Sequence, residues 1–114
     1  MPDANPPETS PMRAPWGDLA PALTDISNTV LFDDIWQRPG LRPRDRSLIT
    51  VASLIALYRG NELPFHLRKA LENGVTRQEI IEMVTHLAFY SGWPTASSAL
   101  AIIRTVFEQA DADG

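Results

Sequence analysis

Between Leu48 and Leu57 the sequence reads Leu-Ile-Thr-Val-Ala-Ser-Leu-Ile-Ala-Leu, and apolar side chains fall on every side of a helical wheel. A helix of that kind has no face to give to water and must be covered all round. The chain has 114 residues, enough for one domain with one modest core. A second run, Thr95-Ala96-Ser97-Ser98-Ala99-Leu100-Ala101, is small on several faces and permits close backbone approach. The two features predict a core that oligomerisation completes.

The surrounding punctuation makes the rest helical as well. A first helix is predicted from about Leu19 to Ile35, with an irregular apolar set of Leu23, Ile26, Val30 and Trp36. Arg38-Pro39-Gly40 breaks it. A second helix starts near Pro43, tolerated in a first turn, and runs to about Tyr58, with Gly60 as its expected left-handed cap. A third spans about Leu63 to Glu72 and stops at Asn73-Gly74. A fourth opens on Thr76-Arg77-Gln78-Glu79, a capping box, and reaches about Tyr90 before Gly92. A fifth opens on Pro94 and continues to about Ala110. Val51 to Leu57 is apolar enough for a strand but lies inside an unbroken helical pattern, and no segment alternates with period two. The fold class is all-α, a compact bundle of about five helices.

Six of the ten prolines fall within the first 21 residues, which carry one large aromatic, Trp16. Such a segment buries too little apolar surface to offset its ordering entropy. Residues 1–15 are therefore expected to be a flexible Pro-rich tail and 16–114 the helical domain. The formal net charge of −4 argues against a nucleic-acid partner. No stretch approaches the ~20 apolar residues of a membrane span, and no secretory signal is visible, so a cytoplasmic protein is expected. The absence of cysteine excludes disulfides, thiolate metal sites and thiol redox chemistry.

Both histidines stand in helical ladders of polar residues. Glu62 and His66 are spaced i, i+4, so a carboxylate can orient the ring and raise its pKa; a surface pair beside a helix start is the plainer alternative. Glu82, His86 and Tyr90 form a second ladder, and Val84, Leu87 and Phe89 around His86 predict a ring that points inward, as a core histidine or as an acid/base. No tight zinc spacing is present, so no metal site is expected. Arg38, Arg42, Arg44 and Arg46 fall within nine residues and can hold a carboxylate or phosphate, with Arg46, deepest in the helix, the best candidate; arginines that are solvated or bridge subunits are the plainer alternative. Trp36, Tyr58, Phe65, Phe89, Tyr90 and Trp93 supply aromatic surface, and Trp93, on the Gly92-Trp93-Pro94 turn, can wall a pocket or plug the core.

Three segments together are specific. Arg44-Asp45-Arg46-Ser47-Leu48, Glu62-Leu63-Pro64-Phe65-His66-Leu67-Arg68-Lys69-Ala70-Leu71-Glu72-Asn73-Gly74-Val75-Thr76 and Thr85-His86-Leu87-Ala88-Phe89-Tyr90-Ser91-Gly92-Trp93-Pro94 resemble the carboxymuconolactone decarboxylase family over about residues 30–110. The wider superfamily contains the alkylhydroperoxidase D type, whose CxxC pair aligns here with Arg59 and Glu62 and whose helix-borne Glu aligns near Ser47. A thiol peroxidase is therefore excluded, since its nucleophile is missing.

The resemblance implies an all-α trimer or hexamer acting on a small organic acid or lactone without a cofactor. The namesake substrate is an unsaturated γ-lactone with a ring carboxylate and an acetate arm, and it accepts its own electrons when CO2 leaves. On that template Arg46 holds the spectator carboxylate. His66 or His86 stabilises the oxyanion, and the other histidine or Glu62 returns the proton, within apolar walls that include Trp36, Phe65, Tyr90 and Trp93. A non-catalytic oligomer that binds a small ligand in the same pocket is the alternative.

Overall fold

A computed structural model describes residues 12–113, and the expected tail lies largely outside them. Among the described residues every regular element is helical. They divide into two compact parts, one ending at Pro43 and one beginning at Arg44.

In the first part, helix α1 spans Pro21–Ile26 and continues as a wider π-type turn over Ser27–Phe32. A one-turn 3-10 segment follows at Ile35–Gln37. The widening shows in the Asp33 N–H, which reaches five residues back to the Asn28 carbonyl at 2.9 Å. The Thr29 hydroxyl also donates to the Asp25 carbonyl at 2.8 Å, a bond that competes with regular helix. Of the irregular apolar set only Trp36 is buried, whereas Leu23, Ile26 and Val30 are exposed. The Ala14 N–H donates to Asn28 Oδ1 at 2.8 Å, and Arg13 pairs with Asp33 at 2.7 Å, so both residues are tied to this helix.

The second part holds α2 (Pro43–Ala56), α3 (Leu63–Glu72), α4 (Arg77–Ser91) and α5 (Trp93–Asp113). Helix α5 packs against both α3 and α4. Each helix contributes one stripe at three- and four-residue spacing: Ser47, Val51 and Ile55; Leu63, Leu67 and Ala70; Ile80, Val84 and Ala88; Ala96, Ala99, Ile103 and Val106. Of the small residues of α5, Ala96 and Ala99 pack within the chain, whereas Ser97, Ser98 and Ala101 are exposed. Helix α2 gives the core just one side, since Ile49 is 56% exposed and Leu57, just past its end, is 68% exposed.

Two helices end on the same hydrogen-bond pattern. After α3 the Val75 N–H reaches the Ala70 carbonyl (2.9 Å) and the Gly74 N–H reaches Leu71 (3.1 Å), with Gly74 left-handed at φ 101°. After α2 the Arg59 N–H reaches Leu54 (2.8 Å) and the Tyr58 N–H reaches Ile55 (3.1 Å). The left-handed residue there is Tyr58, at φ 64°, and not the expected Gly60. Gly60 serves close packing instead: a Cβ on it would stand 3.2 Å from Ile102 Cδ1. The Tyr58 phenol accepts from Ser98 Oγ on α5 at 3.2 Å, which gives this side chain a partner in its unusual conformation.

The capping box forms as read, with the Glu79 N–H donating to Thr76 Oγ1 (3.0 Å) and the Thr76 N–H to Glu79 Oε1 (2.9 Å). Arg44 of α2 closes on the same Glu79 oxygen at 2.5 Å. The Thr76 amide and the Arg44 guanidinium hold the Glu79 carboxyl below its usual range. Gly92 alone joins α4 to α5, with φ 103° and ψ 148°. A Cβ there would meet nothing closer than Pro94 Cδ at 3.7 Å, so space is available and only the backbone forbids it. Gly92→Ala is expected to cost about 1–3 kcal/mol of stability, read as a lowered thermal midpoint.

Candidate functional site

The site builds up from α3, whose start is fixed by Pro64 in the first turn. Glu62 stands at the position just before the helix without a side-chain capping bond, and its carboxylate lies 3.4 Å from Arg59 Nε on the exposed side of the turn. One turn on, His66 is half-buried, and its ring meets the Phe65 ring edge-on at 5.0 Å and 87°. The sequence predicts that Glu62 raises the His66 pKa, but the net effect is the reverse. Burial is the largest influence and lowers it, the Lys69 ammonium lowers it further, and the Glu62 carboxylate pulls upward without prevailing. The imidazole is therefore biased towards its neutral form.

Lys69, which the motif reading passes over, is the unexpected member of this face. Its side chain is 5% exposed and its ammonium is held by Glu72 at 3.1 Å. The available signal was its i, i+3 spacing from His66 and its place between the buried Leu67 and Ala70.

On α2, Arg46 is half-buried, and its backbone carbonyl accepts from Thr50 Oγ1 at 2.8 Å. Its neighbour Ser47 is fully buried and accepts from Asn73 Nδ2 at 3.0 Å, which ties α2 to the end of α3. The arginine cluster does not act as one group. Arg38 forms a two-pronged pair with Asp34 (2.9 and 3.0 Å), and Arg44 bridges Asp45 and Glu79.

His86 is exposed and stacks on Tyr90, with ring centroids 4.8 Å apart and planes 27° from parallel. The inward orientation expected from its apolar neighbours is not found, because α4 buries Ile80, Val84 and Ala88, and His86 lies off that stripe. Trp93 opens α5 and meets Phe89 edge-on at 5.7 Å. These two rings wall a groove of about 290 Å3 between α4 and α5, floored by Val84, Ala88 and Ala96 and lined by no titratable residue. Phe65 is not part of that groove and lies against His66 instead. Trp36 is buried in the first part of the chain.

The chain thus gathers Glu62, Phe65, His66 and Lys69 on α3, stacks His86 with Tyr90 on α4, and sets Phe89 with Trp93 at the α4–α5 corner. Among the described residues no three His, Asp or Glu side chains stand close enough to hold a metal ion, and no helix is long and apolar enough to cross a membrane.

Comparison with known proteins adds the context. The sequence profile of the Carboxymuconolactone decarboxylase family matches residues 21–105. The chain is similar to a 4-carboxymuconolactone decarboxylase of Acinetobacter baylyi, 43% identical over 77 residues, or 68% of this chain and 58% of that protein. It is also similar to a nitrosuccinic acid decarboxylase of Metarhizium robertsii, 41% identical over 78 residues, covering 68% and 54%. An uncharacterised 15.0 kDa protein of Paracoccus denitrificans is 26% identical over 95 residues, covering 82% and 71%. The chain spans a little over half the length of the two decarboxylases that it matches.

Proposed function

The chain belongs to the carboxymuconolactone decarboxylase family, and from that premise we propose that it is a cofactor-independent decarboxylase of small polycarboxylic acids. One observation carries the reading: two proteins similar to it are decarboxylases named for chemically different acids with a common logic. In 4-carboxymuconolactone the carbon that loses CO2 is the γ-carbon of an unsaturated lactone, so its electron pair reaches the carbonyl oxygen through the ring double bond. In nitrosuccinic acid it carries a nitro group. In each the carbon–carboxylate bond breaks, its electron pair moves onto acceptor oxygens, CO2 departs, and a proton returns to carbon. In each a further carboxylate stays behind as a handle.

The residues fit that chemistry. Arg46 takes the remaining carboxylate, for which a guanidinium offers two parallel donors. His66, biased towards its neutral form, donates an N–H to the oxygen on which charge builds, and half-burial strengthens that bond. Phe65 beside the ring keeps water from it. The returning proton comes from Glu62 or His86. A homotrimer or homohexamer completes the walls with Tyr90 and Trp93. The exposure of Ile49, Tyr90 and Trp93 in the single chain supports that assembly, since a partner surface would remove large apolar side chains from water.

The test is turnover of 4-carboxymuconolactone, followed in the ultraviolet, and of nitrosuccinate, followed by CO2 release, without added metal or thiol. The expected result is a kcat of about 1 per second or more on one of them. A folded chain that turns over neither overturns the decarboxylase reading. Binding of either acid without turnover points to a non-catalytic ligand-binding role.

A further inference from the structure

Lysine is among the residues least often buried, because its ammonium loses strong hydration. In α3, however, the Lys69 side chain is 5% exposed. The charge is balanced locally by Glu72, whose Oε1 lies 3.1 Å away. The residue one turn earlier on the same face is His66. We propose that Lys69 is a positioning residue for the site: a buried cation, anchored by Glu72 one turn along from His66, that acts together with burial to hold the ring as an N–H donor to the substrate. This deepens the decarboxylase reading and rests on it for the role of His66.

The surroundings of His66 leave few other sources of charge. Helix α5 packs on α3 through a groove that His66 does not line; Pro64 and Arg68 line it from α3, and the α5 side offers Ala101, Ile102, Thr105, Val106 and Gln109, none of them titratable. From α2 the charged group at the site is the half-buried Arg46, next to Ser47, whose hydroxyl accepts from Asn73. The charged groups that act on the ring are Lys69 and Glu62, which oppose one another. Glu62 is half exposed and paired with Arg59, so solvent and its partner weaken it. Lys69 lies in a drier place, where a charge reaches further. A neutral imidazole suits the proposed step, because it donates to a growing negative charge without having been a cation beforehand.

The chain has two histidines, so a proton–carbon NMR titration gives two ring signals, assigned with His86→Gln. His86 is exposed on α4 and serves as the internal reference. In Lys69→Met, which keeps the length of the side chain, the His66 midpoint is expected to move up towards that of a free imidazole, while Lys69→Arg restores the wild-type value. In Glu72→Gln, which leaves the ammonium uncompensated, the midpoint moves down. A lysine that merely fills space predicts no such pair of opposite shifts, and a His66 midpoint unchanged in Lys69→Met and Glu72→Gln overturns the proposal. Because the titration needs no substrate, it decides the matter even for a chain that fails to turn over either acid.

Discussion

His66→Leu lowers kcat by about 100- to 1,000-fold, the usual loss when one donor to a developing oxyanion is removed. The fold survives, because His66 is half-buried and lies beside the Leu63–Leu67–Ala70 stripe that α3 gives to the core. His66→Gln, which keeps an N–H, retains more of the activity than the leucine variant. Steady-state kinetics on whichever acid is turned over checks both, with circular dichroism to establish folding. Equal and small losses in the two variants are incompatible with a donor at this position. The same ring leaves a mark on stability. Its folded pKa lies below the ordinary value of 6.5, so as pH falls the unfolded chain takes the proton first. The stabilisation from a neutral His66 is thus complete above about pH 6.5 and declines below it. The thermal midpoint of the wild type drops more steeply between about pH 7.5 and 5.5 than that of His66→Leu.

Leu67→Ala has the largest expected effect on stability. Leu67 is 0% exposed at the middle of α3, between Leu63 and Ala70 and against α5. Truncation removes the transfer energy of the lost methyl groups and leaves a void that helices pinned at both ends cannot fully close. The expected loss is about 2–5 kcal/mol, a large part of the roughly 5–15 kcal/mol that holds a domain of ordinary stability. Urea unfolding measures it as a lowered midpoint with little change in slope. A loss below about 1 kcal/mol would mean that the site collapses around the smaller residue.

The helices after residue 43 were legible because their signals are local and agree with one another. Pro43, Pro64 and Pro94 mark first turns, Thr76 and Glu79 form their reciprocal cap, and Gly74 takes the left-handed turn after α3. The exceptions have tertiary causes. Gly60 is the local choice for a left-handed cap, but Tyr58 takes that conformation with its phenol bonded to Ser98, forty residues away in sequence. The π-type turn in Ser27–Phe32 arises where side-chain hydroxyl and amide groups compete for backbone partners, which hydrophobic periodicity does not register.

Less of the site could be read in advance. Spacing put Glu62 and His66 on one face, but the sign of their coupling depends on burial and on Lys69, and neither is visible in a one-dimensional pattern. His86 was expected inside because its neighbours are apolar, yet the rotation of α4 turns a different stripe inward. Phe89 and Trp93 meet through their i, i+4 spacing across a junction that continues without a loop.

That junction has a consequence for the opening dynamics of the chain. A single residue, Gly92, separates two helices of 15 and 21 residues that pack along their lengths. The Gly92 carbonyl accepts from the Thr95 hydroxyl at 2.7 Å, and that hydroxyl is also bonded to Ser91 at 2.8 Å. With no slack between them, neither helix can peel away while the other stays seated. Buried amides on both sides of the corner, such as those of Val84, Ala88, Ala99 and Ile103, should therefore exchange with solvent deuterium through one shared opening event. They would form a single cooperative unit, distinct from the frayed turns at the helix ends.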